Sequence, residues 1–204
     1  MFIKVIKRAY LLFFEVLGWK FHRQNLVDGI YILPSHTSLW DASLGWAYGC
    51  KNAMNPLAFL IDHWYDRSPK FFKKLKFFRV PEFDRDPPPV YRTFFKELEK
   101  EIKTQFRTDY RPLVITICPE GTLQACNHWK RGFSYLSEKL DLPIYVFEID
   151  YNKKEVKVLN LEDPIYQSRC THKEAMDKIR NMIDLKCAKY PEKVGIPRLK
   201  KEDG

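Results

Sequence analysis

Three things are scarce in this 204-residue chain: long apolar runs near its start, paired cysteines, and the glycine signatures of nucleotide chemistry. In the opening MFIKVIKRAYLLFFEVLGWKF, the longest uncharged run is Ala9 to Phe14, between Arg8 and Glu15. A spanning helix needs about 20 largely apolar residues. A cleaved signal peptide needs a longer apolar region and a small-residue cleavage site. Neither is expected here. The five cysteines are odd in number and contain no C-x-x-C pair, which argues against a disulfide framework or a zinc ribbon and fits a reducing compartment. Cys126 and His128 lack a second ligand pair at metal-site spacing, so no metal is expected. No G-x-G-x-x-G, G-x-x-x-x-G-K-[ST] or G-x-S-x-G occurs, which counts against dinucleotide, P-loop and α/β-hydrolase chemistry.

What is present is an ordinary globular balance, 45% hydrophobic and 30% charged, in a chain of one-domain length without internal repeats. Aromatic residues reach 15%, with 15 Phe and 11 Tyr. The net charge of +9 calls for an anionic partner: nucleic acid, an acidic membrane or a phosphate-bearing substrate.

Two segments favour the membrane. On a helical wheel over residues 1–20, Phe2, Ile6, Phe13 and Leu17 share a face, flanked by Ile3, Tyr10 and Phe14, while Lys4, Lys7, Arg8 and Glu15 lie mostly opposite. That is the pattern of an amphipathic helix lying in a membrane interface, or of one packed on the protein's own core. KFFKKLKFFR, residues 70–79, then sets five cations among five large apolar residues. Each cation near an anionic bilayer contributes on the order of 1 kcal/mol. Nucleic-acid binding lacks a recognisable module, so no nucleic-acid partner is expected.

The remaining pattern predicts an α/β domain over residues 21–190 and a polar tail over 191–204. Strands are expected at 29–33, 57–61, 113–117, 144–150 and 156–159, the last two forming a hairpin around YNKKE. Helices are expected at about 39–48, from Asp86 through Val90, Phe94, Leu98 and Ile102, at 130–140, and at about 173–188. Strands alternating with helices imply a mostly parallel sheet flanked by helices, with a late antiparallel hairpin.

The chemistry-bearing stretch is SHTSLWDASLGW, residues 35–46. Residues five apart on one helix point roughly 140° from each other, so His36 and Asp41 cannot meet within a helix. They can meet if His36 lies in the turn leaving strand 29–33 and Asp41 in the first turns of the next helix. Pro34 disfavours helix at Leu33, and Thr37 or Ser38 can cap. Such a pair suits deprotonating a hydroxyl: the imidazole takes the proton and the carboxylate fixes its tautomer. A core histidine beside a helix-start carboxylate has the same spacing.

The larger context resembles the glycerolipid acyltransferase superfamily, the glycerol-3-phosphate and lysophosphatidic-acid acyltransferases. His36-Thr37-Ser38-Leu39-Trp40-Asp41 is similar to its H-x-x-x-x-D motif, and Pro119-Glu120-Gly121-Thr122 to its P-E-G-T block. Asp84-Arg85 stands where that family has its arginine block. Leu142-Pro143-Ile144 resembles its V-P-I segment, and Trp129-Lys130-Arg131-Gly132-Phe133 its K-x-G-F stretch. The order is the family's order. Three positions depart: Leu123 stands for an arginine, Phe77-Phe78-Arg79 for glycines, and Val146 for a proline.

The resemblance implies an O-acyltransferase in which His36 is the general base and Asp41 orients it. No acyl-enzyme, cofactor or metal is implied; acyl-CoA or acyl-ACP (acyl carrier protein) is a co-substrate. Arg85 would bind the acceptor phosphate, Glu120, Gly121 and Thr122 the acceptor, and Lys130 and Arg131 the phosphates of coenzyme A. The Glu120-Gly121 turn is also expected to supply oxyanion donors. Partners would be a lysophospholipid, most simply lysophosphatidic acid, and an anionic membrane surface, with the protein peripheral or monotopic on a cytoplasmic face. Leu123 leaves open another lysolipid acceptor or transacylation between phospholipids, and also a non-catalytic lipid-binding module. His22, His63, His128 and His172 lack partner spacing and are read as structural, and Cys118 as a small residue ending a strand.

Overall fold

A computed structural model describes residues 2–52, 55–61, 77–80, 88–108, 112–121, 123–126 and 129–194. Among them the chain forms a curled, mostly parallel sheet with helices on both faces. The strands are β1 (Lys20–Phe21), β2 (Gly29–Ile32), β3 (Asn55–Ile61), β4 (Phe77–Val80), β5 (Leu113–Ile117), β6 (Ile144–Asp150) and β7 (Glu155–Val158). Their spatial order is β1-β7-β6-β2-β5-β3-β4. β2 pairs parallel with β5 on one side and with β6 on the other, and β3 pairs parallel with β5 and β4. Among the described strands the one antiparallel pair is β6–β7, the expected hairpin.

The helices are α1 (Phe2–Val16), α2 (Leu39–Lys51), α3 (Pro88–Thr108), α4 (Gly132–Leu140) and α5 (His172–Met182). Strand alternation divides the core into two layers. Ile30, Ile32, Ile115, Ile144 and Val146 point to one face, where Leu98 of α3, Phe133 and Leu136 of α4, and Met176 and Ile179 of α5 cover them. Tyr31, Leu33, Val114, Tyr145, Phe147 and Ile149 point to the other, under Phe14 of α1 and Leu44, Ala47 and Tyr48 of α2. Both faces are covered, so the central strands read as unbroken apolar runs rather than alternating ones. Gly29 is a close-approach position: a Cβ there would stand 2.7 Å from the Tyr145 ring.

Several expectations are corrected in detail. β4 emerges from the end of the basic-aromatic stretch, where Phe77–Val80 adds an edge strand beside β3. The two-residue β1 has no periodicity to announce it and pairs parallel with β7. The last helix stops at Met182 rather than near Ala188. Ile183 turns extended, and the Asp184 carboxylate accepts the Lys186 N–H at 2.9 Å to open a 3₁₀ turn, Leu185–Cys187. The start of the expected tail forms another 3₁₀ turn, Pro191–Lys193. The segment 70–76, Asp84, Arg85, the Asp86 cap, Thr122, His63 and His128 lie outside the described residues.

α1 packs by one edge. Phe14 is buried, with Tyr10 and Leu11 half-buried against the same layer. Val5, Ile6, Leu12, Phe13, Val16 and Leu17 remain exposed, Phe13 at 52% and Val16 at 85%. Among the described residues, no helix is long and apolar enough to cross a membrane.

Candidate active site

The three central parallel strands β6, β2 and β5 run side by side, so their C-terminal ends reach one edge of the sheet. Each end delivers a polar side chain to one place. Clefts at the carboxyl ends of parallel strands are where such sheets hold their sites.

From β2, the chain leaves through Pro34 and Ser35. Ser35 sits in the left-handed region at φ 66°, a conformation unusual for a residue with a Cβ. Its N–H donates to Glu120 Oε1 at 2.7 Å, tying the β2 exit to the β5 exit. The turn reverses the chain so that His36 stands before α2 and Asp41 within its first turn. His36 Nδ1 lies 3.0 Å from Asp41 Oδ2. A carboxylate oxygen accepts, so Nδ1 is the donating nitrogen of the pair, and in the neutral imidazole the lone pair falls on Nε2. The imidazole is 17% exposed.

Asp41 also belongs to a capping box. Ser38 is the N-cap of α2, its hydroxyl accepts the Trp40 N–H, and Asp41 bonds back to the Ser38 N–H. Oδ2 further accepts the Thr37 N–H at 3.1 Å. The other oxygen, Oδ1, accepts the hydroxyl of Tyr151 at 2.5 Å. Four donors therefore converge on one buried carboxylate.

From β5, Cys118-Pro119-Glu120-Gly121 makes a turn in which the Gly121 N–H donates to the Cys118 carbonyl at 3.1 Å. This corrects one expectation. That N–H is engaged in the turn and does not point free toward an oxyanion. Glycine is favoured at 121: its φ is 63°, and a Cβ would crowd the flexible Lys130 side chain, with Cε and Nζ at 3.2 Å. The Lys130 N–H in turn donates to the Pro119 carbonyl at 2.9 Å, folding the K-x-G-F stretch against the P-E-G-T turn.

Glu120 is 6% exposed. Burial pushes its carboxyl up to about 7, opposed by its own backbone N–H, the Ser35 N–H and nearby His36. Its Oε2 is buried without a hydrogen-bond partner among the described residues. Burial, with the Glu120 and Asp41 carboxylates nearby, drives the Cys118 thiol well above its ordinary value, so it stays a thiol and not a nucleophile.

The expected residues thus divide. His36, Asp41, Glu120, Gly121 and Lys130 gather at one strand-end edge. Arg131 is the N-cap of α4, exposed, and its charge lies near enough to help burial lower the His172 pKa. Arg85 and Thr122 lie outside the described residues. His172 Nδ1 meets Ser134 Oγ at 3.0 Å on the far layer, and His22 pairs with Glu155 at 3.5 Å on the surface. Tyr151 and Ser35 were not foreseen. Tyr151 is 110 positions from Asp41 and carries no motif; the parallel register of β2 and β6 alone brings it near.

The chain matches no protein-family model and no curated protein.

Proposed function

We propose that the protein is a membrane-surface O-acyltransferase, moving a fatty acyl group from an acyl thioester of coenzyme A or acyl carrier protein to the free hydroxyl of a lysophospholipid. The observation that carries this reading is the His36–Asp41 pair, whose Nε2 meets no partner among the described residues, beside buried Glu120, in two motifs that resemble those of the glycerolipid acyltransferases.

Nε2 takes the proton of the acceptor hydroxyl while its oxygen attacks the thioester carbon. The imidazolium that forms is stabilised by Asp41. The C–S bond then breaks, and the proton passes from Nε2 to the departing thiolate. No acyl-enzyme is needed, and no nucleophile motif suggests one. Lys130, next to Gly121, is the candidate for a phosphate of the donor, with Arg131 further along the α4 start. Arg85 and Thr122 retain their expected roles toward the acceptor.

The exposed apolar side chains of α1 support an amphipathic membrane-facing helix. Val5, Ile6, Leu12, Phe13 and Val16 form one outward band, and Leu39 and Trp40, next to the His36 loop, are exposed as well. Phe14 connects the two, with its ring 6.1 Å from Trp40. Lys189 lies over the Trp40 ring at 5.5 Å, and Lys193 over Tyr190 at 4.5 Å, a basic-aromatic rim suited to anionic headgroups. On this reading both acyl tails stay in the bilayer while the headgroup reaches His36, and the protein is peripheral or monotopic on a cytoplasmic face. Replacing Phe13 and Val16 together by Glu is expected to lower cosedimentation with anionic vesicles by tenfold or more. Unchanged cosedimentation would remove α1 as the seat.

A second reading keeps the chemistry and changes the acceptor. Leu123, where the resemblance has an arginine, favours a lysolipid other than lysophosphatidic acid, or transacylation between phospholipids. The deciding experiment presents acyl-CoA and a lysolipid panel on anionic vesicles to the purified protein. Acylated product with release of coenzyme A is expected, and the preferred acceptor chooses between the readings. Vesicle binding with no transfer to any acceptor leaves a lipid-binding module instead.

A further inference from the structure

We infer that Tyr151 is a positioning residue that sets the proton affinity of the His36–Asp41 pair through its hydrogen bond to Asp41. The inference rests on the proposed function for its catalytic meaning, and on geometry alone for the coupling.

Tyr151 is the first residue after β6, at the strand-end edge shared with β2. Its hydroxyl reaches Asp41 Oδ1, the oxygen that takes neither His36 nor the two loop N–H groups. The ring is held from independent elements. The Tyr151 N–H donates to the Cys187 carbonyl at 2.9 Å, and Trp19, just past α1, meets the ring edge-on at 5.1 Å. Burial and the Asp41 charge keep the phenol protonated far beyond neutral pH, so it acts as a permanent donor.

A donor on Oδ1 draws negative charge away from Oδ2. Removing it concentrates charge on the oxygen that faces His36 and stabilises the imidazolium, so His36 should hold its proton to higher pH. A base that holds its proton longer is unavailable at the acid end of the working range. The other titratable groups around the pair are Glu120 and Cys118 from the β5 exit and Glu148 within β6. Asp184, Cys187, Lys189 and Tyr190 come from the C-terminal turns.

The test is Tyr151→Phe, which keeps the ring against Trp19 and removes the donor. The His36 titration, followed by NMR of its labelled imidazole, should move up by about 0.5–1 unit. The acid limb of kcat/KM should move with it, alongside a fall of about tenfold. 3-Fluorotyrosine inserted at position 151 keeps ring and hydroxyl but donates more strongly, and should move the His36 midpoint down. In an Asp41→Asn background, Tyr151→Phe should move it not at all. A midpoint unmoved by both changes overturns the inference and leaves the acyltransferase reading intact. Acyl transfer that survives His36→Ala overturns that reading, while the NMR result still decides the coupling.

Discussion

His36→Ala is expected to lower kcat for acyl transfer by 10²–10⁴, the usual contribution of a general base. Binding to anionic vesicles and the fold should persist, because the substitution leaves little uncompensated. The Asp41 carboxylate loses one donor but keeps the Thr37 and Ser38 N–H groups and the Tyr151 hydroxyl. His36 itself lies in a loop and contributes little to either core layer. The loss therefore reports chemistry rather than collapse. Added imidazole should restore part of the rate by entering the space left beside Asp41. A loss of less than about tenfold would sink the base role. His36→Asn provides a closer comparison, since its amide can still donate to Asp41 but offers no basic nitrogen on the substrate side.

The same six residues carry two interactions in the fold. Ser38-x-x-Asp41 is a capping box, and His36-x-x-x-x-Asp41 is a hydrogen-bonded pair. One carboxylate does both because capping directs Oδ2 back over the N-terminus of α2, where the loop brings His36. The turn that permits this is the left-handed Ser35, which no periodicity could announce. The central strands were legible because GIYIL, LVITI and IYVFEID are apolar runs bounded by turn residues, the signature of strands covered on both faces. Their order was not. β5 enters between β2 and β3 long after both are made, so the meeting of His36 with Glu120 depends on a crossover invisible to local pattern. The outward apolar band of α1 was half legible. The wheel set Phe13 on one face with Phe2, Ile6 and Leu17 and put Tyr10 and Phe14 at its flanks, but packing turned Phe14, Tyr10 and Leu11 inward and left Leu12 and Val16 out.

Glu120→Gln is expected to stabilise the protein by up to about 3 kcal/mol at pH 8 while lowering acyl transfer ten- to a hundredfold. The carboxyl titrates at about 7 in the folded chain against an ordinary 4.5. Between those values the unfolded chain has released the proton and the folded chain still holds it. The unfolded state binds fewer protons there, so stability falls as pH rises from about 4.5 to about 7 and levels off above. Carrying a buried carboxyl across that interval corresponds to about 3 kcal/mol at the alkaline end. Gln cannot ionise. Its Oε1 still accepts the Ser35 N–H, so the tie between the β2 and β5 exits survives. Urea unfolding should therefore show the variant ahead of the parent at pH 8 and level with it near pH 4. The Ser35 tie needs only a carbonyl-type oxygen, so the ionisable group itself, with Oε2 buried and unpartnered among the described residues, adds cost without a resting-state contact of its own. The expected return is a hydrogen bond from the acceptor to Oε2, which the variant's amide replaces with the wrong polarity. Equal stability at pH 8 would show that the burial is not a cost, and a more stable variant with full activity would exclude the carboxylate from acceptor binding.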